Sequence, residues 1–384
     1  MWVRLSLPDG ENGIRSGDCL SRVAEEKQAW KPLDDPICLH HWLYSSDGIT
    51  RKSRLILVMQ PNTITTQNWP QKTDMAGDFQ LAVKRLTGLV AATYSPMHDD
   101  GHDDGSLRVD QIRSMVDYLL ANGVSGLYVC GSTGEGMSLT SDERRVVAEA
   151  YVKAAAGRVP VIVQVGHNSI SEARQLAASA SEVGADMISA TCPSYFKVGG
   201  VESLVECMRE VAMGAPELPF YYYHIPILTG SKLDMVEFLQ TAADRIPNLA
   251  GLKFTDTALH EFQQCLELES GRFDVLWGVD EMLLAALATG AKGAIGSTYN
   301  IAAPLYRDII NAFEQGDMAE ARRLQSLSVN MIRTIAAYPF HPAMKRVLQM
   351  LGFEFGGCRL PQPAISSTET EELRQRLEAI NVIK

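Results

Sequence analysis

Eight short apolar runs recur between residues 88 and 300, and their spacing constrains the fold more than any other feature of the chain. They are GLVAATYSP (88 to 96), GLYVCG (126 to 131), VPVIVQVG (159 to 166), MISATCP (187 to 193), PFYYYHIP (219 to 226), LAGLKFTD (249 to 256), FDVLWGVD (273 to 280) and GAIGSTYN (293 to 300). Runs this short and this evenly apolar suit strands covered on both faces. Helical stretches separate them. LTSDERRVVAEAYVKAAAG offers Thr140 as a cap with Glu143 three residues on and Gly157 as a stop, and NSISEARQLAASASEVGAD offers Ser171 and Gly184 in the same roles. Eight strand–helix units of about 30 residues each predict an α/β fold, a closed (β/α)8 TIM barrel rather than an open sheet.

Beyond the eighth run the chain continues in helices. Pro304 and Pro342 suit first-turn positions, Gly352 suits a stop, and STETEELRQRLEAINVI puts Leu373, Leu377 and Ile380 on one face behind a capping box from Thr368 to Glu371. Before the first run the pattern is absent. Trp2, Trp30, Trp42 and Trp69 cluster there, and only SRLILVMQ (53 to 60) reads as a strand. The expected division is therefore an N-terminal extension (1–80), a catalytic barrel (81–302) and C-terminal helices packed on it (303–384). Met75 is an alternative start, and a chain beginning there is expected to fold and stay active.

The net charge of −11 disfavours nucleic acid and anionic membrane surfaces, leaving small molecules as the expected partners. Seven scattered cysteines without paired spacing fit a reducing cytoplasm, and with no apolar core of signal-peptide length in the first residues and no run approaching a membrane span, neither a leader nor a spanning helix is expected. No metal or cofactor is expected. His40 and His41 near Cys38 lack a second ligand pair, and HDDGHDDG (98 to 105) reads as a solvated acidic loop.

In a barrel of this kind the chemistry sits at the C-terminal ends of the strands, and here those ends are polar. Alternation in LAGLKFTD turns Leu252 and Phe254 one way and Lys253 with Thr255 the other. A buried lysine either finds a carboxylate or gives up its proton. No acid is apparent deep in the neighbouring strands, so the free amine, able to attack a ketone and form an imine, is the expected outcome for Lys253. GSTGEG (131 to 136) sets the Ser132 and Thr133 hydroxyls among glycines, where they and backbone amides can hold a carboxylate. In PFYYYHIP, Tyr221 and Tyr223 share one face and Tyr222 and His224 the other. Tyr223 is the phenol placed to relay a proton beside the imine, and His224 is expected in the helix layer as a satisfied packing residue.

Taken together and in order, YYYHIPILTG, GLKFTDT, GVDE and GSTYN make residues 88 to about 380 similar to the dihydrodipicolinate synthase and N-acetylneuraminate lyase family of Schiff-base barrels, on its lyase branch. The resemblance implies a class I aldolase cleaving N-acetylneuraminate to pyruvate and N-acetylmannosamine, with Lys253 as imine lysine, Tyr223 as proton relay and Ser132 with Thr133 on the carboxylate of a 2-keto acid. It further implies that Thr255, Gly278, Asp280, Glu281 and Ser297 meet the hydroxylated tail, and that Tyr195 of CPSYFK reaches a neighbouring subunit's site in a homotetramer built as a dimer of dimers. The synthase branch carries an arginine where this chain has Leu228, which disfavours synthase activity. The alternatives are a dihydrodipicolinate synthase-type or other 2-keto-acid aldolase of the family and a non-catalytic binding regulator.

Overall fold

The computed structural model describes residues 85–98 and 105–383. The N-terminal extension, with its strand at 53 to 60 and its Cys38, His40 and His41 cluster, lies outside the described residues, as does most of the acidic loop at 98 to 105.

Eight parallel strands close on themselves in sequence order: β1 Gly88–Ala92, β2 Gly126–Val129, β3 Val161–Gln164, β4 Met187–Ala190, β5 Phe220–His224, β6 Leu249–Phe254, β7 Asp274–Trp277 and β8 Gly293–Gly296. Each lies inside one of the eight apolar runs. The fold is a TIM barrel. Helices α1 Ile112–Ala121, α2 Ser141–Ala155, α3 Ile170–Glu182, α4 Val201–Ala212, α5 Pro226–Thr229, α6 Met235–Ala242, α7 Leu259–Glu267 and α8 Leu283–Thr289 lie between the strands. After β8 come α9 Tyr299–Glu314, α10 Met318–Ile335, α11 Phe340–Met350 and α12 Ser367–Ala379. Among the described residues no helix is long and apolar enough to cross a membrane.

Strand alternation splits the buried side chains in two. Val90, Ala92, Tyr128, Ile162, Tyr221, Tyr223, Leu276 and Ile295 fill the barrel, while Leu127, Val129, Tyr222, Leu252, Phe254 and Trp277 face the helices. Lys253 therefore points inward. The register sets Tyr223 beside Lys253 and Lys253 beside Leu276, so neighbouring strands deliver the phenol and the amine at one level.

Helix ends follow the expected chemistry with local shifts of register. Thr140 and Glu143 form the capping box of α2, as expected. For α3 the cap is Ser169, not Ser171: its hydroxyl accepts from the Glu172 amide, and Ser171 lies inside the helix that begins at Ile170. For α12 the box runs from Ser366 to Glu369 instead of Thr368 to Glu371. Both pairs have the right spacing. The earlier one wins by adding two helical residues directly after the buried Ile365. Pro342 does lie in the first turn of α11, but Pro304 sits inside α9, just past a kink at Ala302.

Candidate active site

One cavity of about 800 Å³ opens at the C-terminal ends of the strands. Its wall includes Ser132, Thr133, Tyr223, Lys253, Thr255, Gly278, Asp280, Glu281 and Ser297. The volume suits a small organic ligand. Tyr195 is not in this wall. It lies in the loop after β4, 79% exposed, with its ring edge-on to the equally exposed Phe196 at 5.0 Å.

Lys253 is 4% exposed, and its Nζ sits 4.0 Å from the centroid of the Tyr128 ring and 3.9 Å from that of Tyr223. Burial pushes its pKa below the ordinary lysine value, against the opposing pull of Tyr223 and of the Asp280 charge. Among the described residues no carboxylate comes within ion-pairing distance of it. The expectation that no acid lies deep in the strands beside it needs correction, because Asp274, the first residue of β7, is buried there. That carboxylate belongs to the opposite end of the barrel, where its Oδ2 accepts from the Leu86 amide at 3.0 Å and the Tyr221 hydroxyl at 2.9 Å. It leaves Lys253 without a counter-ion.

The hydroxyls of the GSTGEG turn face the lysine's surroundings. Ser132 Oγ stands 3.5 Å from Tyr223 Oη, and Thr133 Oγ1 stands 2.6 Å from Ser297 Oγ. These contacts join the ends of β2, β5 and β8. The turn itself is braced by the Ser95 hydroxyl, which donates to the Gly134 carbonyl at 2.7 Å.

On the opposite wall, Asp280 Oδ2 accepts from the Thr298 amide at 2.9 Å and its hydroxyl at 2.6 Å. Burial raises its pKa to about 6 even though both bonds act to lower it. Two glycines make room for this wall: a Cβ on Gly278 would collide with Thr255 Oγ1, and one on Gly296 with the Asp280 carboxylate. Thr255 Oγ1 and Asp280 Oδ1 are buried without a hydrogen-bond partner. Unpaired buried oxygens beside a cavity are suited to a ligand's hydroxyls.

His224 faces the helix layer, as expected, but it is not satisfied there. It packs on Phe254 at 5.2 Å, its two ring nitrogens lack hydrogen-bond partners, and Nε2 is 3.9 Å from Asp256 Oδ2. Burial lowers its pKa to about 4, so it is neutral at physiological pH. Other wall residues escaped sequence reasoning altogether. Ile332 and Ala336 at the end of α10 and Phe340 and His341 at the start of α11 reach the cavity from the appended helices, and strand periodicity carries no signal for them. Tyr128 had a signal, since alternation in GLYVCG turns it opposite to Leu127 and Val129.

Comparison with known proteins agrees with this geometry. Residues 85–380 match the dihydrodipicolinate synthetase family. The chain is 42% identical over 309 residues to the N-acetylneuraminate lyase of Xenopus tropicalis, covering 79% of this chain and 100% of that one. It is 40% identical over 305 residues to the Homo sapiens N-acetylneuraminate lyase, covering 78% and 94%. Among solved structures, the Proteus mirabilis N-acetylneuraminate lyase superposes with a TM-score of 0.75 at 38% identity, covering 78% of this chain and all of that one. A Bacillus anthracis dihydrodipicolinate synthase superposes with a TM-score of 0.71 at 26% identity, covering 76% and 98%. With a barrel of this topology, an unpaired lysine on its sixth strand and a family match spanning all eight strands, the chain belongs to the dihydrodipicolinate synthetase family.

Proposed function

We propose that this protein is a class I aldolase cleaving N-acetylneuraminate to pyruvate and N-acetylmannosamine. The observation that carries the reading is Lys253: buried, without a carboxylate partner, and level with the Tyr223 phenol at the mouth of the barrel. The names and identities of the lyase relatives support the choice of substrate.

In this mechanism the Lys253 amine condenses with the C2 ketone of the open-chain substrate while Tyr223 gives its phenol proton to the departing oxygen, so that water leaves and a protonated imine faces a phenolate. Tyr223 takes the proton of the C4 hydroxyl as the C3–C4 bond breaks. The bonding electrons move into the imine, giving an enamine and the aldehyde of N-acetylmannosamine. Tyr223 hands that proton to C3 of the enamine, and hydrolysis then releases pyruvate and the free amine while the phenolate recovers its proton from the attacking water. Ser132 and Thr133 hold the substrate carboxylate. Thr255, Gly278, Asp280, Glu281 and Ser297 meet the polyhydroxyl tail, and the unpartnered Thr255 and Asp280 oxygens support that assignment.

A homotetramer working in the cytoplasm belongs to the same reading, as does the division into an extension (1–80), a barrel (81–302) and C-terminal helices (303–384). The exposed Tyr195–Phe196 pair supports an interface, and a second cavity of about 450 Å³ beside Ser132 and Leu228 is large enough to take a neighbour's aromatic ring. The scattered cysteines, free among the described residues, support the location.

The test measures kcat/KM on one preparation for cleavage of N-acetylneuraminate and for condensation of pyruvate with aspartate semialdehyde. Leu228, 60% exposed at the cavity rim, cannot offer a carboxylate the forked hydrogen bonds of an arginine. Cleavage should dominate. A preference for the semialdehyde would overturn the substrate and leave the lysine chemistry standing.

A further inference from the structure

Burial sets the site a problem that the proposed mechanism does not solve by itself. The desolvation that frees the Lys253 amine for attack also disfavours the positive charge on the imine that follows, and a neutral imine is a poor acceptor for the C3–C4 electrons. A carboxylate beside the nitrogen would hold that charge, but it would also hold the ammonium of the resting lysine and block the attack. The site calls for an interaction of intermediate strength.

Tyr128 supplies one. It rises from β2 into the barrel, fully buried, and presents its ring face to Lys253 Nζ at 4.0 Å. The Tyr223 ring offers a second face at 3.9 Å, and the two rings stand nearly perpendicular, with an interplanar angle of 81° and centroids 5.6 Å apart. The electron-rich faces of both rings are turned to one nitrogen. The Tyr128 hydroxyl points elsewhere: it donates to Ser189 Oγ on β4 at 3.1 Å, and burial raises its pKa well above the ordinary phenol value. It stays protonated and fixes the plane of the ring.

We propose that Tyr128 is a catalytic residue of the imine chemistry, its ring face holding the positive charge on the Lys253 nitrogen so that the buried imine stays protonated through carbon–carbon cleavage. No proton passes through Tyr128, and no bond to it forms or breaks. Tyr223 shares the cation and alone moves the proton. This assignment rests on the imine reading above.

The experiment keeps the two separable. Pyruvate with borohydride should first trap an adduct on Lys253 in the parent enzyme, and failure there sinks the imine reading itself. With the adduct in hand, Tyr128→Phe, which keeps the face and removes only the Ser189 bond, should cleave within about 3-fold of the parent rate. Tyr128→Leu should cleave about 2- to 30-fold more slowly, the range expected for one cation–ring contact. The limbs of its pH profile give the sharper reading. Without the ring both the amine and the imine lose a cation-holding contact, so the acid limb of kcat/KM and the alkaline limb of kcat should move to lower pH. A loosened core that admitted water would move the acid limb upward. If the leucine variant does not fold, phenylalanine fluorinated stepwise at position 128 keeps the volume and drains the ring face, and the cleavage rate should fall with each fluorine. A rate indifferent to fluorination, limbs that stay or rise, or a phenylalanine variant as slow as the leucine one would overturn the proposal.

Discussion

Lys253 and Lys345 are almost equally hidden, at 4% and 1% exposed, yet they sit in opposite surroundings. Lys345, on α11, lies 2.8 Å from the Glu135 carboxylate and donates to the Gly357 carbonyl at 2.6 Å. The other Glu135 oxygen accepts from the Arg359 amide at 2.8 Å, and the Arg359 guanidinium grips Glu143. Glu135 belongs to the GSTGEG turn and takes a left-handed backbone, φ 55°, so this network pins the turn of Ser132 and Thr133 to the C-terminal helices. Lys253 has ring faces where Lys345 has a carboxylate and a carbonyl. Burial is common to both, and the partner decides whether a buried lysine is a strut or a reagent.

Exchanging each lysine for methionine is the strongest way to break this contrast. Lys253→Met should abolish both cleavage and the borohydride adduct while leaving the fold intact, since it removes a buried amine and retains the chain volume. Lys345→Met should still form the adduct, on Lys253, as peptide mass spectrometry can show. An adduct surviving in the first variant would remove Lys253 from the chemistry.

Tyr223→Phe comes next in size. It retains the ring beside Lys253 and removes the hydroxyl, so imine trapping should persist while cleavage slows by about 10²- to 10⁴-fold, the contribution of a positioned proton-transfer group. A loss well below that range would hand the relay to a water or to another hydroxyl.

The same Lys345→Met exchange tests the strut. Leaving the Glu135 carboxylate buried without its counter-ion should cost about 3–5 kcal/mol of stability, and adding Glu135→Gln should recover most of it, because a buried pair is worth far less than the penalty for breaking it. Thermal melts of the parent, the single variant and the double variant decide this. Equal melting temperatures in the first two would mean that water already reaches the pair.

Sequence reasoning found the reagent and missed the strut for one physical reason. Period-two alternation is local, so the inward turn of Lys253, Tyr223 and Thr255 could be read from runs of eight residues, and all eight strands fell inside their runs. Nothing local joins Glu135 to Lys345, or brings Phe340 and His341 to the cavity wall. Such contacts depend on how the appended helices dock. Competing caps of equal spacing, such as Ser366 and Thr368, are decided by the residues before the helix rather than by the motif. Asp274 was visible as a residue but not as a partner of Tyr221, because that pairing crosses from β7 to β5 at the far end of the barrel.

The smallest expected effect concerns Asp280, the carboxylate whose charge reaches Lys253 without pairing with it. Its pKa of about 6 lies above the ordinary aspartate value of 3.8, chiefly through burial. The folded chain therefore keeps a proton that the unfolded chain releases between these values. The resulting stabilisation is complete below the ordinary pKa and is lost as pH rises through about 6. By pH 7 the loss approaches ~3 kcal/mol, an upper figure set by roughly two pKa units. Asp280→Asn has no such proton to lose, so its stability should stay flatter than the parent's from pH 4 to pH 7 in denaturant melts. Its catalytic acid limb should also move to lower pH, because the removed charge favours the Lys253 ammonium. If parent and variant melt in parallel across that range, Asp280 is solvated in the fold, and the contrast between Lys253 and Lys345 would rest on the aromatic rings alone.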